Sequence, residues 1–254
     1  MRFSACIELL FKPEHPDFSD RIHAAKAAGF DAVEFWRWSN KDMEAVAAAL
    51  QQTGLPLAGI LCEPIANLTD PAAHAGFLDG VRQSLAAAQR LGTGLMIAQA
   101  GNALPGVQRA EQHAAIVACL RQAAEILEGS GVIIALEPLN DRVDHPGYFL
   151  TSTVEGLDII DEVGRPEIRL LYDIYHAAVM GEAIDVLTGR LDSVAHVHLA
   201  DTPGRHEPGS GTMDWQARLG WLRGAGYRGL VGLEYSPSGP TMESLRFVET
   251  VPRG

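Results

Sequence analysis

Hydrophobic and polar positions along the chain follow two rhythms. Short runs of period two, or apolar runs closed by a turn signal, read as strands. Longer runs with apolar residues every three to four positions read as helices. Strands are predicted over residues 3–8, 31–36, 55–62, 94–100, 132–137, 168–173, 194–199 and 229–235. Helices are predicted over 18–29, 41–52, 71–91, 108–128, 151–163, 214–225 and 241–250, with a short helix from His176 and a further segment over 183–191. The stop signals agree: Gly29, Gly54 and Gly92 follow helical stretches, and Pro138 breaks the fifth strand. Thr151 or Ser152 can cap the helix over 151–163, with Glu155 completing a capping box.

Strands alternating with helices imply a parallel sheet. Eight such units in 254 residues, with no linker or low-complexity segment, match an α/β chain of one (β/α)8 TIM-barrel domain over residues 1–254. A doubly wound open sheet is the alternative, but no G-x-G-x-x-G follows the first strand. At 47% hydrophobic and 20% charged residues the chain can bury a large core. Its net charge of −12 argues against nucleic acid as a partner. No apolar run is long enough for a membrane span, and the opening M-R-F-S-A-C-I-E lacks a secretory h-region. Cys6, Cys62 and Cys119 are too few and too scattered for a disulfide framework or a thiolate zinc site. They read as three reduced thiols of a cytoplasmic protein. Exposed apolar residues on the outer helices are compatible with a homo-oligomer.

Chemistry concentrates at strand ends. The fifth predicted strand ends at Glu137, the sixth at Asp173, the seventh carries His198 and the eighth reaches Glu234. A barrel opens all its carboxyl ends onto one face, where its chemistry sits. A lone strand-end Glu is usually solvated and a lone strand His is usually a packed one; four such residues on four consecutive strands point to a metal site. Carboxylates with one imidazole suit Mg²⁺, Mn²⁺ or Co²⁺. In the seventh strand Val194, His196 and His198 alternate onto one face, and Ala195, Val197 and Leu199 onto the other. His196 sits one layer deeper than His198 and reads as a supporting or packing residue. His176 lies above the site in Y-D-I-Y-H, and Arg205 in P-G-R-H-E-P-G suits gripping a carboxylate or hydroxyls of a small-molecule substrate. His206 and Glu207 shape that loop. Trp36, Trp38 and Phe11 are candidates for an apolar wall. A divalent cation chelated by a hydroxyl and a neighbouring carbonyl acidifies the C–H between them, and two carboxylates, Glu137 and Glu234, can remove and return that proton. This is the pattern of aldose–ketose isomerisation or epimerisation.

At these residues the sequence resembles the hydroxypyruvate isomerase family, within the barrel superfamily of sugar isomerases and epimerases related to xylose isomerase and endonuclease IV. The matching segments are F-D-A-V-E-F-W at 30–36, L-E-P-L-N at 136–140, G-Y-F-L at 147–150, D-I-Y-H at 173–176, H-V-H-L-A-D-T-P-G-R-H-E-P-G at 196–209 and G-Y-R-G-L-V-G-L-E-Y at 226–235. The resemblance implies that Glu137, Asp173, His198 and Glu234 bind a divalent metal, that Glu137 and Glu234 exchange the proton, and that His176 and Arg205 hold the substrate. The reference reaction it implies converts hydroxypyruvate to tartronate semialdehyde. One position departs: hydroxypyruvate isomerases usually have Gln where this chain has His198, whereas ketose 3-epimerases of the tagatose/psicose type have His. A ketose 3-epimerase, a metal-dependent hydrolase or dehydratase, and a non-catalytic sugar-binding barrel are the alternatives. Endonuclease IV is disfavoured, because its trinuclear zinc site needs more His ligands.

Overall fold

The computed structural model describes residues 1–252. Its strands are β1 (Arg2–Cys6), β2 (Ala32–Glu34), β3 (Ile60–Leu61), β4 (Leu95–Gln99), β5 (Ile133–Glu137), β6 (Ile168–Asp173), β7 (Val194–Leu199) and β8 (Leu230–Leu233). They pair in parallel in the order β2-β1-β8-β7-β6-β5-β4-β3. The remaining seam, between β2 and β3, is bridged by backbone hydrogen bonds from Val33 to Pro56 (3.1 Å), Ala58 to Val33 (2.7 Å) and Leu61 to Trp36 (2.9 Å). The result is a single TIM-barrel domain. Helices α1 (Asp20–Ala27), α2 (Met43–Thr53), α3 (His74–Leu91), α4 (Arg109–Leu127), α5 (Thr153–Val163), α6 (Ile174–Met180), α7 (Trp215–Gly224) and α8 (Thr241–Ser244) alternate with the strands.

Side-chain alternation divides the core in two. Outward-facing strand residues such as Phe3, Val33, Met96, Ile134, Leu170, Val197 and Val231 join the helices in the larger cluster. Leu61, Leu95, Ile97, Ala135 and Leu171 form a second cluster inside the barrel. Gly54, Gly92 and Gly164 end helices in the left-handed conformation that favours glycine. Ser152, not Thr151, caps α5 by accepting from the Glu155 N–H.

Several expectations are corrected. The first strand stops at Cys6, and Glu8 instead lies in a turn, 2.8 Å from the Lys41 ammonium. The third strand shrinks to two residues, and upstream of it Leu57 makes only an isolated bridge to Val33. The stretch over 183–191 forms turns, and the C-terminal helix ends at Ser244 before a 3₁₀ segment, Leu245–Thr250. On β7 the register slips: Leu170 pairs with Val194 but Leu171 with His196. The extra residue, Ala195, packs into the barrel interior, while Val194 joins the outer layer. His196 and His198 keep the inward face. Cys6, Cys62 and Cys119 are free and buried, and no helix among the described residues is long and apolar enough to cross a membrane.

Candidate active site

Glu137, Asp173, His198 and Glu234 converge at the carboxyl ends of β5 to β8. Their ligand-competent atoms lie within 4.8 Å of one another, and none of the four residues is more than 5% exposed. Local sequence explains the placement. Pro138 ends β5 directly after Glu137. The Tyr148 hydroxyl donates to the Glu137 carbonyl (3.1 Å) and accepts from the Ala100 N–H (2.6 Å), fixing that rim. Asp173 caps α6: its Oδ1 accepts from the N–H groups of Tyr175 (2.7 Å) and His176 (3.3 Å), which leaves Oδ2 for the site. His198 Nδ1 stands 3.4 Å from Glu137 Oε1 and 3.5 Å from Glu234 Oε2. Glu234 Oε1 accepts from the Trp36 indole (2.7 Å), and its Oε2 from Arg205 Nη2 (2.6 Å).

The electrostatics show why these groups suit a cation. Burial opposes charge on Glu234, but His198 and Arg205 overcome it and hold its pKa well below the carboxylate range. Burial likewise opposes charge on His198, yet Glu234 and then Glu34 raise its pKa well above the ordinary value. For Asp173 burial wins, against Arg205 and His198, and raises its pKa. Four buried carboxylates, Glu34, Glu137, Asp173 and Glu234, are thus set against Arg205 and the imidazoles of His176, His196 and His198. Glu137 Oε1 and His198 Nδ1 are buried with no hydrogen-bond partner among the described residues. Carboxylate oxygens and one imidazole nitrogen, unpartnered and short of positive charge, fit a divalent cation.

His176 occupies the first turn of α6. Its Nδ1 accepts from the Asn140 N–H (3.1 Å) and side-chain amide (2.7 Å), so the network assigns the ring proton to Nε2. Nε2 is buried, unpartnered, and 3.6 Å from Asp173 Oδ2. Burial, above all, pushes the His176 pKa down to about 4, so the ring is neutral at pH 7 and offers the cleft an N–H donor. Arg205 is expected to grip a carboxylate or hydroxyls of the substrate; in the structure Glu234 holds one arm of its guanidinium, whose carbon lies 5.2 Å from the Tyr175 ring centre. Its Nε remains unpartnered. Arg205 takes a left-handed φ of 54°, unusual for a residue with a Cβ. Asp201 staples its loop by accepting from the N–H groups of Thr202 (2.7 Å), Gly209 (2.7 Å) and Met213 (3.1 Å). His206 and Glu207 tie the same loop to Ser236 and Ser238 beyond β8.

A cavity of about 330 Å³ opens above these groups, walled by Trp36, Gln99, Leu139, His145, His176 and Arg205 among others. Trp36 therefore does line the cleft. Trp38 and Phe11 do not: they pack in the outer core, with the Trp38 indole on Ser84. Glu34 was missed. It projects inward from β2 to lie 3.0 Å from His198 Nε2 and 2.8 Å from His196 Nε2. Its signal was present in D-A-V-E-F-W, where alternation puts Glu34 and Trp36 on one face. Asn140, which sets the His176 tautomer from 36 residues away, leaves no local mark.

Comparison with known proteins agrees with the fold and with an enzyme of the isomerase class. The family model of the xylose isomerase-like TIM barrel matches residues 22–251. Hydroxypyruvate isomerase of Escherichia coli (strain K12) is 32% identical, over 98% of this chain and 98% of its own. A 2-oxo-tetronate isomerase of Cupriavidus necator is 30% identical, over 98% of this chain and 97% of its own. A solved structure of an AP endonuclease, family 2, from Brucella melitensis superposes with a TM-score of 0.90 at 30% identity, covering 99% of both chains. By the family match and by full-length similarity, this chain belongs to the xylose isomerase-like TIM-barrel family, among its hydroxypyruvate isomerase-like enzymes.

Proposed function

We propose that this chain is a divalent-metal-dependent aldose–ketose isomerase of a small hydroxy-carbonyl acid, with hydroxypyruvate to tartronate semialdehyde as the reference reaction. The observation that carries this reading is the pair Glu137 and Glu234, both facing His198 Nδ1, at 3.4 and 3.5 Å. Two carboxylates that flank one ligand position can serve as base and acid to a carbon held between them. The relatives named for isomerising hydroxypyruvate and 2-oxo-tetronate support the same substrate class.

Glu137, Asp173, His198 and Glu234 are the residues that would hold the ion, Mg²⁺ or Mn²⁺ by their donor types, with Co²⁺ also compatible. Such an ion acidifies the C–H beside a chelated carbonyl and stabilises the resulting enediolate. One carboxylate takes the proton from C3 of hydroxypyruvate, the C–H electrons form the C2–C3 double bond, and the carbonyl oxygen on C2 gains the charge. The other carboxyl group, in its acid form, returns a proton to C2, while the C3 hydroxyl proton passes to the C2 oxygen, leaving an aldehyde at C3, a hydroxyl at C2 and the two carboxyl groups with their protonation exchanged. Trp36 and Arg205 keep Glu234 ionised and aimed. The His176 Nε2–H donates to a substrate oxygen. The Brucella relative's name raises DNA cleavage, but a net charge of −12 and a single imidazole in the donor set favour a small molecule.

The test is deuterium exchange, followed by NMR in D₂O with Mg²⁺, over substrates from hydroxypyruvate to ketohexoses. The wild type is expected to incorporate deuterium beside the carbonyl. Glu137→Gln and Glu234→Gln should each slow exchange by at least ~10²-fold, with calorimetry confirming bound metal. Near-normal exchange in either variant sinks the two-carboxylate mechanism. His198 favours one second reading, a ketose 3-epimerase, which faster exchange on a ketohexose with inversion at C3 would establish.

A further inference from the structure

Directly beneath the proposed metal site lies a second buried polar cluster that the reaction does not touch. Glu34 Oε2 accepts from the Ser4 hydroxyl (2.8 Å) and contacts His196 Nε2 (2.8 Å). With that oxygen held from two sides, the carboxylate cannot turn, and Oε1 is delivered to His198 Nε2 at 3.0 Å. Glu34, His196 and His198 are each at most 3% exposed, so water does not compete. Gly232 on β8 makes the approach possible: a Cβ there would fall 2.3 Å from Glu34 Oε1 and 2.8 Å from His198 Cδ2.

An imidazole nitrogen that carries a proton cannot ligate a metal. Neither Glu34 Oε1 nor His198 Nε2 makes an aligned hydrogen bond among the described residues, but at 3.0 Å a lone pair on Nε2 would repel the carboxylate, so the contact favours the proton on Nε2. In a neutral ring this leaves the lone pair on Nδ1, the nitrogen that faces Glu137 and Glu234. We propose that Glu34, anchored by Ser4 and His196, is a positioning residue that fixes His198 in the tautomer and ring orientation whose Nδ1 ligates the divalent cation. The inference rests on reading the rim as a metal site. It also accounts for buried polar groups that would otherwise burden the fold.

The test is a double-mutant cycle on Mn²⁺ affinity, measured by calorimetry on the full chain, with circular dichroism as a check on folding. Glu34→Gln keeps the shape and removes the charge, and it should weaken Mn²⁺ binding about 10–100-fold. In a His198→Gln background, where no tautomer exists to be set, the same change should shift affinity by less than about twofold. An equal loss in both backgrounds overturns the proposal, because Glu34 would then act through its charge or the fold. Affinity unchanged by Glu34→Gln overturns it as well. Two Mn²⁺ per chain, one lost in Glu34→Gln, would make Glu34, His196 and His198 ligands of a second ion instead. A wild type that binds no Mn²⁺ removes the metal-site reading itself, and this proposal with it. Should the variants fail to fold, ¹⁵N NMR of the Mg²⁺-loaded wild type decides: the proton belongs on His198 Nε2, and finding it on Nδ1 overturns the assignment.

Discussion

The interior of this barrel has two unlike sides. Over β3 to β6 it is filled by Leu61, Leu95, Ile97, Ala135 and Leu171. Over β7, β8, β1 and β2 it holds His196, His198, Gly232, Ser4, Cys6 and Glu34. The first side stabilises simply by removing apolar surface from water. The second is costly unless every polar group finds a partner. Burial first, and the carboxylates of Glu234 and Glu34 next, hold the Cys6 thiol well above its ordinary pKa, so it stays protonated there. The apolar side needs only volume and would serve any barrel. The polar side needs specific atoms at specific distances, and its contacts lead upward to His198 at the rim. A fold-only explanation accounts for one side and leaves the other without a reason.

The largest effect on stability should therefore come from the apolar side, with the least effect on the site. Leu95 is buried on β4, four residues below the rim residue Gln99. Leu95→Ala opens a cavity and should cost about 2–5 kcal/mol, read as a lower urea midpoint. Its Mn²⁺ affinity should stay within about twofold of wild type, since Leu95 brings no polar atom to the site and the apolar cluster meets the rim through Trp36, which packs on it and donates to Glu234. A loss of affinity in step with stability would mean that the two sides act as one unit, and the contrast drawn above would fail.

Gly232→Ala inverts the pattern. The new methyl must displace Glu34 Oε1 or the His198 ring, both closer than 3 Å to where it would sit. Overpacking of this kind costs about 1–3 kcal/mol, while displacing a ligand's support should lower Mn²⁺ affinity about tenfold or more. Stability and affinity thus change in opposite proportion in the two variants. Equal affinity in Gly232→Ala and wild type would show that the polar cluster does not govern the rim.

The same contrast separates what was legible in the sequence from what was not. Glu137, Asp173, His198 and Glu234 could be read because each ends or nearly ends a strand, and barrel topology brings strand ends together. The apolar side could be read from alternation alone. For Glu34 only the face it shares with Trp36 could be read; its partner could not, because a single Glu in a short strand reads the same whether that face meets solvent or a histidine 162 residues away. The bulge at Ala195 was equally silent: one extra residue leaves no compositional trace, and it appears only in the register against β6. Arg205 was legible as a residue of the cleft, but its pairing with Glu234 was not. That pairing depends on the left-handed turn and the Asp201 staple of its loop.

The finest distinction concerns the anchor. Ser4 gives Glu34 Oε2 one of its two donors, and His196 remains when the hydroxyl is removed. Ser4→Ala should then cost only about 1.5 kcal/mol in urea unfolding, the low end for a bond to a charged group. If both donors are needed to stop the carboxylate turning, Mn²⁺ affinity should fall by about two- to threefold, far less than in Gly232→Ala, because the His196 contact still limits rotation. A fall as large as that of Glu34→Gln would make the hydroxyl, and not His196, the principal anchor. No change in affinity, with the expected loss of stability, would confine Ser4 to the fold and leave His196 alone to hold Glu34 against His198.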